Sequence, residues 1–300
     1  MDNSTPFVLK GAVSFAFELL LVLVSAAQLS CNSRNTVQSG SVRVGTSLRV
    51  FELILNEIIG EPNQVVALVG DKQSPHAFHP RPSDAIEMHR ANVIILGAPE
   101  LDGWVSDMSE LDPIYLADHL DPDDWIYKDG IRNPHFWVDP LIVKKLSEPL
   151  AEELCKIEPI RCDDFVRNAA RFSAELGSLD ERLRTIMDEF LGARVYTTQP
   201  FFDYFLRRYG VESAGSLEPI PGHEPPPSRI VRMLNSESES SSAGIIAQVR
   251  LPDVVARLFQ AESGLPLVYL DPIGESSTDS YSTLLFQNAT QLSTMLLDAE

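Results

Sequence analysis

Residues 163–192 read DDFVRNAARFSAELGSLDERLRTIMDEFLG, with no proline. Apolar side chains fall at Phe165, Ala169, Phe172, Leu176, Leu179, Leu183, Ile186 and Phe190, alternately four and three apart. That rhythm lays one continuous apolar stripe along a helix. Asp163 and Asp164 suit its N-terminal end, Gly192 suits its stop, and Gly177 weakens the middle by about 1 kcal/mol without ending it. At about 1.5 Å per residue the helix runs roughly 43 Å, enough to cross a protein of two lobes. A two-stranded coiled coil would carry the same stripe. Strand–helix alternation on both sides favours a backbone helix within one chain.

Continuous apolar runs at 42–45, 65–70, 93–97, 195–198, 244–247 and 267–270 suit strands covered on both faces, as in a parallel sheet. Helical periodicity occupies 48–59, 83–90, 140–155, 201–208, 252–263 and 280–297. The predicted fold class is α/β: two lobes with parallel sheets flanked by helices, joined by the long helix, with a cleft between them. The division runs as a leader over 1–31, a flexible tether over 32–40, an N-terminal lobe over 41–162, the linking helix over 163–192 and a C-terminal lobe over 193–300. The proline-rich run LEPIPGHEPPPS (217–228) reads as a rigid irregular loop, and SESESSS (236–242) as a mobile polar surface loop.

The 300 residues are 44% hydrophobic and carry a net charge of −19. A chain this acidic repels phosphate backbones and anionic membrane surfaces, which argues against nucleic acid and for small cations. The run GAVSFAFELLLVLVSAA (11–27) after Lys10 has the shape of an export signal. It is short for a membrane span, which needs about 20 residues, and Glu18 within it is costly in lipid. Glu18 also departs from the uncharged region usual in such signals. The sequence Gln28-Leu29-Ser30-Cys31 followed by a polar tether resembles a bacterial lipoprotein cleavage site, which makes Cys31 the lipid anchor. Gln28 replaces the aliphatic residue expected there; the alternative is simple cleavage after Ala27. Either way the mature chain is placed in the periplasm or on the outer face of the membrane. Cys155 and Cys162 remain, between one predicted helix and the next. An oxidising compartment permits a bridge, worth roughly 2–3 kcal/mol; two half-buried thiols are the other reading.

Signatures of common enzymes (GxSxG, the P-loop, HExxH, CxxC, GxGxxG) are absent from the sequence. Histidine placement is more informative. His76 follows the predicted strand 65–70, and His135 precedes a helix in NPHFWVDP. Gln199 ends the strand in ARVYTTQP, and Asp271 ends the strand in LVYLDPIG. Open α/β sheets bind ligands beyond the carboxyl ends of their strands, so two groups from each lobe would meet in one cleft. Two imidazoles and a carboxylate form a set for a divalent transition metal, zinc, manganese or iron. Pro75, Pro80, Pro134, Pro140, Pro200 and Pro272 flank these residues and stiffen their loops.

Two stretches, PHAFHPRPSDAIEMHRANVIILGAPELDGW (75–104) and NPHFWVDP (133–140), resemble segments of the solute-binding proteins of bacterial zinc and manganese ABC importers, the ZnuA/TroA-like cluster. Weaker likeness continues through VYTTQPFFDYFLRRYGVE (195–212) and LDPIG (270–274), and the whole resemblance runs from about 42 to 298. It implies a monomeric binding protein rather than an enzyme, with a metal ion as cargo and a membrane permease and ATPase as partners. Its ligand positions fall on His76, His135, Gln199 and Asp271. Gln199 departs from the family's His or Glu, and Gln248 stands where the family has another Glu.

Three readings of Gln199 are open: an amide-oxygen ligand, a position replaced by His79, His223 or Glu224, or a degraded site. His79, His223 and Glu224 are also candidates for an outer shell, and an exposed loop position is the plain alternative for His79. His89 reads as a surface residue, and His119 with Asp118, Asp121, Asp123 and Asp124 as a solvated loop. Phe78, Phe136 and Trp137 flank the ligands, as a dry shell or as ordinary core. Two rival functions stand beside metal import: a surface adhesion or scaffold protein with a degraded site, and a metal-dependent hydrolase using Glu224 as base.

Overall fold

Strand β1 (Val44–Leu48) is buried along its whole length and leads directly into helix α1 (Arg49–Ile59). The computed structural model describes residues 42–61, 64–70, 78–128, 130–219, 223–237, 241–249, 251–275 and 277–298. After α1 come β2 (Val65–Val69), α2 (Pro82–His89), β3 (Val93–Leu96), the single turn α3 (Pro99–Asp102) and β4 (Ile114–Tyr115). These strands form one sheet in the order β2-β1-β3-β4, every neighbour parallel. Gly97, at the exit of β3, lies so close to α1 that a Cβ would come within 2.5 Å of the Phe51 ring. A small antiparallel pair, β5 (Tyr127–Lys128) and β6 (Ile131–Arg132), precedes helix α4 (Pro140–Ile157).

Helix α5 (Cys162–Met187) follows, and a 3-10 turn, Asp188–Phe190, completes it. The buried stripe is Phe165, Ala169, Phe172, Leu176, Leu179, Leu183, Met187 and Phe190. It matches the sequence stripe except that Met187, a full i+4 step beyond Leu183, takes the buried place expected of Ile186. Gly192 then reverses the chain with a left-handed φ of +81°. A disulfide joins Cys155 to Cys162 across the α4–α5 connection.

The second sheet repeats the first. Strands β7 (Arg194–Thr197), β8 (Glu212–Ser216), β9 (Gly244–Gln248) and β10 (Leu267–Leu270) lie in the order β8-β7-β9-β10, again all parallel. Their connections are α6 (Asp203–Tyr209), α7 (Pro227–Glu237) and α8 (Val254–Ser263), and α9 (Tyr281–Leu297) closes the chain. Ile246 and Leu270 join the main core with α4, α5 and α9, while Tyr196, Ile245 and Phe259 form a smaller core on the other face.

Two loop expectations change. Helix α7 begins at Pro227, inside the proline-rich run, because proline at a first helical position loses no hydrogen bond. Ser236 and Glu237 end that helix, and Ser242 is buried, its N and Oγ donating to the Glu237 carboxylate at 2.8 and 2.6 Å. Strands β4, β5, β6 and β8 are absent from the sequence reading. Three are two residues long, and β8, ESAGS, is a polar edge strand with none of the usual β-rich signal. Among the described residues no helix is long and apolar enough to cross a membrane.

Candidate metal site

In the second sheet the strand order reverses between β7 and β9, and a crevice at such a switch point is the usual ligand position of an open α/β sheet. Gln199 lies two residues beyond β7, after Thr198, whose N–H continues the ladder to the Ile246 carbonyl at 2.8 Å. Its Nε2 donates to Glu218 Oε2 at 2.9 Å, while its Oε1 is buried without a hydrogen-bond partner. A carboxylate only accepts, so Glu218 fixes which end of the amide faces it. Gln248, the last residue of β9, is buried and also leaves its Oε1 unpartnered.

Asp271 follows β10. Asn288 of α9 clamps its backbone, accepting from the Asp271 N–H at 2.8 Å and donating to its carbonyl at 2.6 Å. The Asp271 Oδ1 accepts from the N–H groups of Ile273 and Gly274, both at 3.0 Å. Gly274 supplies the left-handed φ of +87° that this turn needs.

His135 is 1% exposed. Its backbone N–H and its Nδ1 both meet Asn133 Oδ1, at 3.0 and 2.7 Å. The Asn133 Nδ2 donates to the Pro200 carbonyl at 2.8 Å and to Asp203 Oδ2 at 3.2 Å. With the amide nitrogen so engaged, Oδ1 is the acceptor and Nδ1 carries the ring proton, which places the imidazole lone pair on Nε2. The ring lies between aromatics from two directions, 4.2 Å from Phe201 and 5.3 Å from Trp137 between centroids. Trp137 Nε1 donates to the Pro272 carbonyl at 2.7 Å. His135 is thereby tied to the turn after Gln199 and to the turn after Asp271.

His76 lies outside the described residues, as does Cys31. Among the described residues no three His, Cys, Asp or Glu side chains converge closely enough to hold a metal ion. His79, His223 and Glu224 are exposed, and the carboxylate against Gln199 belongs to Glu218. The acidic run near His119 is partly pinned rather than simply solvated. Lys145 bonds Asp124 at 2.8 Å and Asp121 at 3.3 Å, and Arg207 donates to the Asp124 carbonyl at 2.8 Å. Phe136 and Trp137 are fully buried, and Phe78 stacks on Trp104 at 4.8 Å.

Asn133, Glu218 and Asp203 are participants that sequence reading missed. Asn133 had a usable signal, an amide two residues before a histidine in a proline turn; Glu218 and Asp203 had none that separates them from other acids. Burial pushes the Asp203 carboxyl above its ordinary range, against the pull of Lys128 and of the Asn133 amide.

The family described as zinc-uptake complex component A, periplasmic, matches residues 44–295. The manganese-binding lipoprotein MntA of Halalkalibacterium halodurans is 24% identical over 92% of this chain and 96% of its own length. The high-affinity zinc uptake system protein ZnuA of Yersinia pestis is 22% identical over 90% of this chain and 95% of its own. Among solved structures, the solute-binding protein FpvC of Pseudomonas aeruginosa in complex with Mn²⁺ superposes with a TM-score of 0.77. It is 23% identical and covers 87% of this chain and all of its own. By the extent of the family match, this chain belongs to the zinc-uptake complex component A family.

Proposed function

We propose that this protein is the extracytoplasmic solute-binding component of an ABC importer, and that it captures a divalent transition-metal cation as its substrate. The observation that carries this reading is His135: a buried imidazole whose tautomer is set by Asn133, packed on Phe201 after Gln199 and on Trp137, which bonds to the turn after Asp271. A neutral imidazole with one nitrogen anchored and the other basic is what a metal ligand requires. The Asp271 carboxylate supplies the negative charge, the Gln199 amide a neutral oxygen, and His76 the second imidazole. The names of the relatives span manganese, zinc and iron binding, which fits a mixed nitrogen and oxygen donor set.

Export with a lipid on Cys31 would hold the mature chain at the outer face of the membrane, beside a permease driven by its ATPase. The N-terminal lobe, long helix and C-terminal lobe would then act as two jaws and a spine, α5 limiting how far they part. Capture needs unprotonated imidazoles, so binding weakens as they take up protons. Titration of the metal-stripped chain with Mn²⁺ and Zn²⁺ tests the reading. Binding tighter than about 100 μM at neutral pH, a free energy of roughly 5.5 kcal/mol, is expected, and it should be lost in His135→Ala and Asp271→Ala. No such binding by the unaltered chain would refute it.

A further inference from the structure

Thr197 of β7 pairs with Ile246 of β9. Two residues further on, Gln248 ends β9 and Gln199 follows the end of β7, so both stand at the carboxyl ends of adjacent strands. Gln248 in turn pairs with Leu270, the residue before Asp271. The carboxyl ends of three adjacent strands therefore bring Gln199, Gln248 and Asp271 to the same end of the sheet, across the point where the strand order reverses.

Both glutamines end in a buried amide oxygen without a hydrogen-bond partner, and Gln248 is only 6% exposed. Buried acceptors are almost always paired, because leaving one unpaired forfeits its solvation. Two such exceptions at the ends of adjacent strands need a cause, and packing does not provide one: a leucine would fill the place of Gln248 without stranding an oxygen. A bound cation does provide one.

We propose that Gln248 is a second amide-oxygen ligand to the transported cation, acting beside Gln199. The inference rests on the metal-capture reading above and extends its ligand set. Two neutral oxygens beside one carboxylate add coordination without adding charge, and they favour Mn²⁺ over Zn²⁺, which prefers nitrogen and sulfur donors and a smaller coordination number. Glu218 acts as a positioning residue, holding the Gln199 amide with its oxygen turned away from the carboxylate.

The test uses the full chain, stripped of metal, with Gln248→Leu and the isosteric Gln248→Glu. Mn²⁺ and Zn²⁺ affinities are measured against a competing chelator, and thermal unfolding is followed without metal. Gln248→Leu should weaken Mn²⁺ binding by about tenfold or more and Zn²⁺ binding by less. It should leave the metal-free Tm unchanged or raised, since a stranded oxygen is gone. Gln248→Glu should tighten Mn²⁺ binding. Unchanged Mn²⁺ affinity in both variants, an equal loss for both metals, or a lowered metal-free Tm with intact affinity would overturn the proposal. If Gln248→Leu fails to fold, Gln248→Glu alone decides. Silent Gln248 variants with intact binding by the unaltered chain refute this ligand only; absence of binding by the unaltered chain refutes the metal-capture reading as well.

Discussion

Trp137 donates its indole N–H to the carbonyl oxygen of Pro272 across 2.7 Å, joining residues 135 positions apart in the chain. The bond is buried, and Tyr281 reinforces it by donating its hydroxyl to the Trp137 carbonyl at 2.6 Å. The loop that carries His135 and the turn that carries Asp271 are thus held by main-chain and side-chain bonds that do not depend on metal.

Replacing Trp137 by Phe keeps most of the apolar volume but strands the Pro272 carbonyl. An unpaired buried acceptor costs roughly 1–3 kcal/mol. Urea denaturation of the metal-free chain should show a loss of that size. Metal affinity should fall too, because the Asp271 turn loses its tether to the His135 loop.

Asn133→Ala removes the acceptor that fixes the His135 ring. Outer-shell partners of a ligating histidine are typically worth about 10–100-fold in affinity. Titration should show a loss in about that range. Imidazole ¹⁵N shifts of the metal-free variant should report a mixture of tautomers in place of a single Nδ1–H form. A single unchanged tautomer would contradict this role for Asn133.

Half-buried Arg208 pairs with fully buried Asp139, its Nε 2.9 and 3.0 Å from the two carboxylate oxygens. Asp139 also caps α4, accepting from the Leu141 N–H at 2.9 Å. Burial by itself would lower the Arg208 pKa, but the Asp139 bonds and charge outweigh it and raise it. Arg208→Met leaves the Asp139 charge buried and uncompensated, which should destabilise by about 3–5 kcal/mol. Adding Asp139→Asn should recover part of that loss, measured by chemical denaturation.

Asp102 lies at the reversal point of the first sheet and is fully buried, accepting from Ser47 Oγ at 2.5 Å and from the N–H groups of Gly97 and Ala98 at 2.8 and 3.0 Å. Burial raises its pKa from 3.8 to about 6, although those donors pull the other way. The folded chain therefore holds this proton more tightly than the unfolded one. The resulting stability is fully present below about pH 3.8 and is lost as pH rises through about 6, by on the order of 3 kcal/mol. In Asp102→Asn that part of the difference in unfolding free energy between pH 4 and pH 7 should vanish; an unchanged difference would exclude Asp102 as its source.

By itself the sequence determined the α/β class, the parallel character of both sheets and the long helix, because hydrophobic periodicity is local and runs through continuous stretches. The stripe from Phe165 to Phe190 is legible for that reason, and so are the fully apolar strands β3 and β10. The positions of His135, Gln199 and Asp271 at strand and loop ends were legible through the motifs around them. Short polar edges such as β8 and the helix opening at Pro227 were not, since pairing and packing rather than composition create them. Only the tertiary structure brought Asn133 to His135 and to Pro200 and Glu218 to Gln199, and set Gln248 at the end of the strand next to the one that leads to Gln199. Such contacts depend on strand order, turn geometry and the burial of particular polar atoms, and a one-dimensional pattern carries none of the three.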